Sequence, residues 1–216
     1  MNDHILLVRF HYTKDDPRFE WRFNYFKDIV LPRILNQTFQ NFDIGIWCNK
    51  WHEDLFKSLS DKIITFQVKE QHTSFKHKYG KKYFFDFVPW KNIVGLRKYK
   101  IQSGLDSDDL ISCDYIEIIE REFGKLINKN SSCHLFFQPE LYNLETGKEE
   151  RIHNRYSTRK GSAFMSLYQP DENNYHFIYE QSHLTLPRIA EQHLFIGSGK
   201  CWASVHKINE STGKYS

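Results

Sequence analysis

The sequence has few cysteines and no long apolar run, and both absences limit the kind of protein it can encode. Its four cysteines form no CxxC pair and show no zinc-ligand spacing. A chain of 216 residues can bury a core without disulfides, so we expect reduced thiols. No stretch approaches the ~20 apolar residues that span a bilayer. The short apolar run 5–8, which ends at Arg9, does not look like a signal peptide. These features predict a cytoplasmic protein without a transmembrane segment.

The charge balance gives no support for nucleic-acid binding. Thirty Lys and Arg residues against 27 Asp and Glu leave a formal net charge of +3, and the two signs are interleaved. Interleaved charges predict a solvated surface, on which a local basic patch could attract phosphate or an anionic membrane surface. We therefore expect peripheral membrane contact only where an acceptor is itself lipid-linked. Aromatic residues make up 16% of the chain, and we expect most of them to fill the core.

Short apolar runs in the first half predict the strands of a parallel sheet. They cover residues 5–10, 42–48, 63–68 and 100–105. Helical patterns separate the first three runs, and a β-α-β-α-β order implies parallel strands joined by right-handed crossovers. The fourth run leads directly into Asp106.

Four helical patterns accompany these strands. The first consists of Phe19, Phe23, Phe26 and Val30, with Pro32 kinking or restarting the helix. The second consists of Trp51, Leu55 and Leu59 at i, i+4 and i+8. Residues 90–99 predict a third helix, and the spacing of Ile116, Ile119, Phe123 and Leu126 predicts a fourth.

The remaining segments are predicted from turn residues and short apolar runs. Residues 72–82 are basic and aperiodic, which indicates a loop. Strands at 134–138 and 151–156 would flank a hairpin turn at 145–148. Residues 163–168 predict a further strand, and residues 184–192 a short helix. The sum is one α/β domain over residues 1–216, with a mostly parallel sheet flanked by helices and an antiparallel C-terminal extension.

Three aspartates stand within four residues directly after the fourth predicted strand. They belong to the segment Asp106-Ser107-Asp108-Asp109. Carboxylates this close repel each other unless a cation is bound, and ligands of open α/β sheets bind at the carboxyl ends of strands. Mn²⁺ or Mg²⁺ accepts one or two carboxylates together with phosphate oxygens. A nucleoside diphosphate leaving group requires such neutralisation, so the motif predicts a metal-dependent site for that class of ligand.

Three other interpretations of this motif stay open. The aspartates could cap the following helix, a role for which Asp109 is the best placed. A strand followed by DxD also begins haloacid-dehalogenase-like phosphotransferase and phosphatase sites. However, the motif lies far from the N-terminus, and Leu110 replaces the small hydroxyl or β-branched residue expected there. Finally, the chain could be a non-catalytic glycan-binding module with aromatic side chains as sugar platforms.

Five segments together resemble one known family. They cover residues 7–10, 21–26, 31–38 with Phe42-Asp43, 104–112 and 202–209. The chain is similar in these segments to glycosyltransferases of the GT-A type, and in particular to the family described as "putative rhamnosyltransferases". The similarity is patchy between Asp114 and Ser198. It implies a Rossmann-like GT-A fold, a UDP-, dTDP- or GDP-linked sugar as donor, and a glycan or lipid-linked glycan as acceptor.

The same resemblance implies roles for individual residues. Asp106 and Asp108 would bind the metal and the diphosphate with Ser107 beside them, and Asp108 would thereby be catalytic. His206 would complete the metal site, which favours Mn²⁺ over Mg²⁺ because imidazole suits it better. Arg9 would contact the nucleotide. Arg97 would contact a diphosphate oxygen. The Thr-Arg pair that usually precedes the family's motif is here replaced by residues 102–104.

The catalytic base is expected in the second half of the chain. An inverting enzyme needs an Asp or Glu that deprotonates the acceptor hydroxyl. Glu180 and Glu191 are available, and Glu180 is the expected base. A retaining mechanism would not need it, and the stereochemistry stays open. In this scheme residues 1–112 bind the nucleotide sugar and residues 113–216 shape the acceptor site.

Overall fold

The computed structural model describes residues 2–10, 12, 14–67, 74–76, 82–84, 99–126, 128–143, 148–150, 164–171, 176, 178, 190–197 and 199–205. The strands are β1 (His4–Phe10), β2 (Asp43–Cys48), β3 (Ile63–Gln67), β4 (Ser74–Lys76), β5 (Lys82–Phe84), β6 (Ile101–Asp106), β7 (Leu110–Ile111), β8 (Cys133–Phe137), β9 (Glu140–Asn143), β10 (Lys148–Glu150), β11 (Met165–Tyr168), β12 (Gln192–Ile196) and β13 (Cys201–Val205).

The helices lie between the strands of the first half and directly after β7. They are α1 (Phe19–Tyr25), a π-helical segment (Phe26–Val30), α2 (Leu31–Leu35), a 3-10 turn (Lys50–His52), α3 (Glu53–Lys57) and α4 (Tyr115–Gly124). In the described parts of the chain, no helix is long and apolar enough to cross a membrane.

A seven-stranded sheet in the order β12-β8-β11-β6-β1-β2-β3 forms the centre of the fold. Strands β6, β1, β2 and β3 are mutually parallel, as the β-α-β-α-β pattern predicts. β11 runs antiparallel to both its neighbours, whereas β8 and β12 run parallel to each other. A separate, mainly antiparallel sheet has the order β10-β9-β13-β7, and β4 pairs with β5. The predicted mostly parallel sheet with an antiparallel C-terminal extension is confirmed.

Aromatic rings fill the core between the main sheet and the first helices, as the composition predicts. The Phe10 ring lies 5.1 Å from that of Phe26 and 4.6 Å from that of Phe56, and all three side chains are fully buried. Phe23 packs edge-on against Phe56 at 5.4 Å. This cluster fixes α1 and the π-helical segment over the carboxyl end of β1.

The first helical pattern is confirmed, with an irregularity at its centre. Phe23, Phe26 and Val30 are buried on one face. The N–H of Leu31 donates to the carbonyl of Phe26, five residues back, and this widened turn directly precedes Pro32. Proline clashes with the carbonyl four residues before it, which a π turn relieves while the chain remains helical.

The apolar face predicted for the second helix is wrong. Trp51 and Leu55 are 55% and 41% exposed, whereas His52 and Phe56 are buried. The His52 ring stacks on Phe19 with 3.6 Å between centroids. Trp51 and Leu55 therefore lie on the solvent side, whereas Phe56 of the same helix enters the core and Leu59, beyond the end of the helix, packs against it.

Several other predicted segments are corrected or lie outside the described residues. The predicted loop at 72–82 contains β4 and the first residue of β5. The hairpin near residue 145 joins β9 to β10 rather than strands at 134–138 and 151–156. Gln192 begins β12 instead of ending a helix. Residues 90–98, 151–156 and 184–189 lie outside the described residues.

The four cysteines are unpaired, and three of them are buried. Burial raises the pKa of the Cys48 thiol to about 12 and that of Cys133 to about 11. These thiols are therefore protonated and unreactive at neutral pH, as expected of residues that serve only to pack.

His134 is a fully buried histidine on β8. It pairs in register with Leu167 on one side and His193 on the other. Neither ring nitrogen has a hydrogen-bond partner among the described residues. Burial, followed by the charge of His193, lowers the pKa of His134 to about 4. The folded protein thus holds a neutral imidazole where an unfolded chain would be protonated below about pH 6.5.

We predict that this histidine makes the protein less stable as the pH falls from 6.5 towards 4. Because its pKa is lower in the folded state, unfolding takes up a proton in that range, and its stabilisation is complete only above pH 6.5. His134→Leu should remove about 2 kcal/mol of the stability lost between pH 7.5 and 5. Urea unfolding of both proteins at the two pH values measures this difference. An identical loss in both proteins would contradict the prediction.

Candidate active site

The aspartate motif begins at the last residue of β6, on the carboxyl edge of the parallel strands. Asp106 ends β6 and lies in register with Arg9 of the adjacent parallel strand β1. A tight turn follows, in which the N–H of Asp109 donates to the carbonyl of Asp106 at 3.1 Å. The chain passes from β1 to β2 and β3 on one side and then returns to place β6 on the other side of β1, so the motif lies where the strand order reverses. Ligands of open α/β sheets bind at such points.

Asp106 forms an ion pair with Arg9. The Nε of Arg9 donates to Oδ1 of Asp106 at 3.0 Å, and a terminal nitrogen contacts the same oxygen. The two side chains are 37% and 35% exposed. A pair this accessible contributes little to stability and can exchange partners with a ligand.

Asp108 forms a second ion pair, with Arg22 of α1. Both side chains are less than one-tenth exposed, and a terminal nitrogen of Arg22 contacts Oδ2 of Asp108. The Nε of Arg22 has no hydrogen-bond partner among the described residues. The pair joins the first helix to the motif across 86 positions of sequence.

The sequence contains a signal for Arg22 that the motif analysis missed. Arg22 lies three residues after Phe19 and four before Phe26, which places it on the apolar stripe of the helix. A guanidinium on a buried face requires a carboxylate partner. The stripe therefore predicts that Arg22 is paired, and only the tertiary structure shows that its partner is Asp108.

A further ion pair, between Arg18 and Asp16, lies beside Tyr12, just beyond β1. Arg18 donates to Asp16 through its backbone N–H and its Nε, both at 2.9 Å, and its guanidinium lies 5.7 Å from the Tyr12 ring centroid. Burial, the largest effect, raises the pKa of the Tyr12 hydroxyl; Asp108 also raises it, whereas Arg22 opposes the change. Tyr12 is thus a neutral hydroxyl within electrostatic reach of the buried ion pair.

The suggestion that the aspartates cap a helix is wrong. β7 follows the motif, and α4 begins only at Tyr115. The first turn of α4 is capped by Gln37, whose Oε1 accepts from the N–H of Ile116 at 3.0 Å and whose Nε2 donates to the carbonyl of Ser112 at 2.7 Å. Asp109 is buried near Cys201, and its charge adds to burial in raising the pKa of that thiol.

The residues that replace the family's Thr-Arg pair have structural roles. Ser103 bonds to His4 at 2.8 Å and to Ser166 at 2.7 Å, which links three adjacent strands beneath the motif. Gln102 donates to the carbonyl of His176 at 2.9 Å and accepts from the N–H of Ile178. Both side chains are fully buried. These hydrogen bonds hold the end of β6 in place.

The structure brings together some of the predicted site residues and leaves others untested. Arg9, Asp106, Asp108 and the buried Ser107 share one location. Arg97, Glu180 and His206 lie outside the described residues. Glu191 is exposed and precedes β12, which runs parallel to β6 through β8, so Glu191 lies at the opposite edge of the sheet from the motif.

The motif fits a hard divalent cation in charge and in donor type. Asp106 and Asp108 offer carboxylate oxygens, and each of them already faces a positive charge. Within the described ranges, no group of three or more His, Cys, Asp or Glu side chains could hold a metal ion. A third ligand would have to come from the rest of the chain, from water or from a phosphate.

The two ion pairs should differ in their contribution to folding. We predict that Asp108→Asn, measured in EDTA, lowers the free energy of unfolding by about 3–5 kcal/mol because it leaves a buried guanidinium without its counter-charge. Asp106→Asn should cost less than about 1 kcal/mol. Urea unfolding curves provide both values. Equal costs would contradict the burial difference between the two pairs.

Comparison with known proteins places this site in a family. The sequence matches the family described as "Putative rhamnosyl transferase" over residues 4–215. No curated protein matches the sequence significantly.

Solved structures of TarS from S. aureus share the fold. TarS residues 1–349 in complex with UDP-GlcNAc superimpose with a TM-score of 0.59 and 12% identity, covering 100% of this chain and 62% of that one. The UDP complex gives a TM-score of 0.54 with 12% identity, covering 95% and 61%. The longer TarS chain gives 0.52 with 11% identity, covering 95% and 37%. The present chain thus spans less than two thirds of each TarS chain. The predicted GT-A-type fold is confirmed by this likeness, and the sequence match shows that the chain belongs to the "Putative rhamnosyl transferase" family.

Proposed function

We propose that this protein is a glycosyltransferase that takes a sugar from a nucleotide-sugar donor and transfers it to a hydroxyl of a glycan or lipid-linked glycan. One observation carries the proposal: the two motif carboxylates lie at the carboxyl edge of β6, and each faces a guanidinium. Carboxylates, guanidiniums and a strand edge are the elements that bind a diphosphate. TarS, which shares the fold, has been solved with UDP-GlcNAc and with UDP.

The donor diphosphate would lie over the turn that contains Asp106, Ser107 and Asp108. Arg9 projects from β1 beside this turn and remains partly exposed, so its guanidinium can reach a phosphate oxygen or the nucleotide. We propose Arg97 as a second contact to the diphosphate. The carboxyl ends of β1 and β6 form the floor of this site, because the two strands are parallel and adjacent.

Asp106 and Asp108 would hold Mn²⁺ or Mg²⁺. When bound, the metal ion would neutralise the charge that develops on the diphosphate as the sugar departs. His206 is the proposed third ligand. It follows directly after β13, which pairs antiparallel with β7 next to the motif.

Glu180 is the proposed base, which would accept the proton of the acceptor hydroxyl in an inverting reaction. The position of Glu191 at the opposite sheet edge supports Glu180 over that alternative. The four unpaired cysteines suit a reducing compartment, so we propose that the enzyme acts in the cytoplasm. A lipid-linked acceptor would bring it to the membrane surface.

A phosphatase or a glycan-binding module is less favoured. In a phosphatase of the haloacid dehalogenase type the first aspartate of the motif is the nucleophile, but here Arg9 binds the carboxylate of Asp106. A glycan-binding module would not need two guanidiniums beside the carboxylates, because neutral sugars carry no phosphate for them to bind. Release of inorganic phosphate from simple phosphomonoesters would support the first alternative, and glycan binding without nucleotide binding would support the second.

The donor can be identified by thermal unfolding. We predict that one class among UDP-, dTDP- and GDP-sugars stabilises the protein, and does so more strongly with Mn²⁺ present. At a hundred times its dissociation constant a ligand adds about 2.7 kcal/mol to the stability of the folded state. No shift with any of the three classes would contradict a nucleotide-sugar site.

Asp106→Asn is the variant that best tests the catalytic role of the motif, because we expect it to have little effect on stability. We predict that it lowers metal-dependent donor hydrolysis or transfer at least about 100-fold while the protein remains folded. Asp108→Ala should also abolish turnover, although its cost in stability makes it harder to interpret. Glu122→Gln is a matched control, because Glu122 forms a comparable pair with Arg121 on the surface of α4. Parent-like turnover by Asp106→Asn would refute the role of the motif.

A further inference from the structure

The two arginines at the motif come from parts of the chain far from it. Arg9 lies on β1 and Arg22 on α1, at sequence separations of 97 and 86 from their aspartate partners. Each contacts one of the two carboxylates that would bind a metal ion. A metal ion therefore has to compete with guanidiniums that already occupy these carboxylates.

The charges of the site make metal and nucleotide depend on each other. The three carboxylates of the motif and the two guanidiniums leave one net negative charge. A donor diphosphate alone adds two negative charges to a site that is already negative. A divalent cation alone meets carboxylates that are already neutralised. When both bind together, the dication balances the diphosphate and the net charge returns to its original value.

The guanidiniums of Arg9 and Arg22 could each donate hydrogen bonds to a phosphate oxygen once their carboxylate partners bind metal. The pair between Arg9 and Asp106 is accessible and opens at little cost. Arg22 has an Nε donor with no acceptor among the described residues, in a side chain that is more than nine-tenths buried. A buried donor without an acceptor is unfavourable, and a phosphate oxygen would satisfy it.

We propose that Arg9 and Arg22 exchange partners on ligand binding, and that this exchange makes metal and nucleotide bind cooperatively. Without ligands, each guanidinium neutralises its carboxylate and holds the motif together. With both ligands bound, Asp106 and Asp108 contact the metal and the guanidiniums contact the diphosphate. This inference rests on the proposed function, and it assigns to Arg22 a role at the diphosphate.

Isothermal titration of the intact chain with MnCl₂ alone, UDP alone and UDP in saturating MnCl₂ tests the exchange. In the parent protein, Mn²⁺ should tighten UDP binding by about 5- to 150-fold, and UDP should tighten Mn²⁺ binding by the same factor. If UDP binds equally well with and without Mn²⁺, the exchange is wrong while a nucleotide site remains. If UDP, dTDP and GDP all fail to bind, the proposed function fails as well.

Arg9→Gln tests whether Arg9 competes with Mn²⁺ for Asp106 or only holds Asp106 in position. Because the ion pair between Arg9 and Asp106 is exposed, the substitution should have little effect on folding. We expect Mn²⁺ alone to bind several-fold more tightly, because its competitor is gone, and UDP in Mn²⁺ to bind more weakly. Weaker binding of both ligands would show that Arg9 only positions Asp106. Unchanged binding of both would show a surface pair with no role. Either result overturns the proposal, and Arg121→Gln is the control that should match the parent.

Arg22→Lys tests the buried arginine without leaving Asp108 unpaired. The ammonium still neutralises the carboxylate, so Mn²⁺ alone should bind as in the parent. UDP in Mn²⁺ should bind more weakly, because lysine lacks the Nε donor and the planar fork. Parent-like UDP affinity in this variant would overturn the role of Arg22 at the diphosphate.

Discussion

The buried ion pair between Arg22 and Asp108 is the constraint on which the geometry of the site depends. A charge in the protein interior needs a partner at contact distance, so neither residue can leave the other at low cost unless a ligand supplies a replacement charge. Arg22 lies on the same buried stripe as Phe23 and Phe26, which pack against Phe56 and Phe10 respectively. The core therefore sets the position of α1, α1 sets the position of Arg22, and Arg22 sets the position of Asp108.

The same constraint explains how three aspartates coexist in one short segment. The sequence suggests that only a cation could relieve their repulsion, but the fold separates them instead. Asp106 turns to Arg9, Asp108 turns to Arg22, and Asp109 turns towards Cys201 and the second sheet. The motif is thus stable before any ligand arrives. Asp106 and Asp108 nevertheless lie at the same strand edge, where the proposed cation and diphosphate would bind.

Elements with strong local patterns could be predicted from the sequence. β1 and β2 are apolar runs buried on both faces, β3 is a partly buried apolar run at the sheet edge, and the spacing of Ile116, Ile119 and Phe123 defines α4. The exposed side of Trp51 and Leu55, the strands flanking the second-half hairpin and the partner of Arg22 could not be predicted. Each of these depends on which distant segment covers a given face, and a local pattern carries no information about that. The motif itself was found because three carboxylates in four residues are a local signal.

Strand direction connects the two halves of the chain at the motif. β11 lies next to β6 but runs antiparallel to it, so Met165, at its start, pairs with Gly104, two residues before Asp106. β13 likewise reaches β7 directly after the motif, and Lys200 at its start donates to Asp114 at 2.5 Å. The second half therefore approaches the motif from two sides, through β11 and β13. A parallel β11 would present its C-terminal end there instead. The reversed strand is what brings Phe164 and Met165 to the carboxyl edge of the sheet, where ligands of open α/β sheets bind.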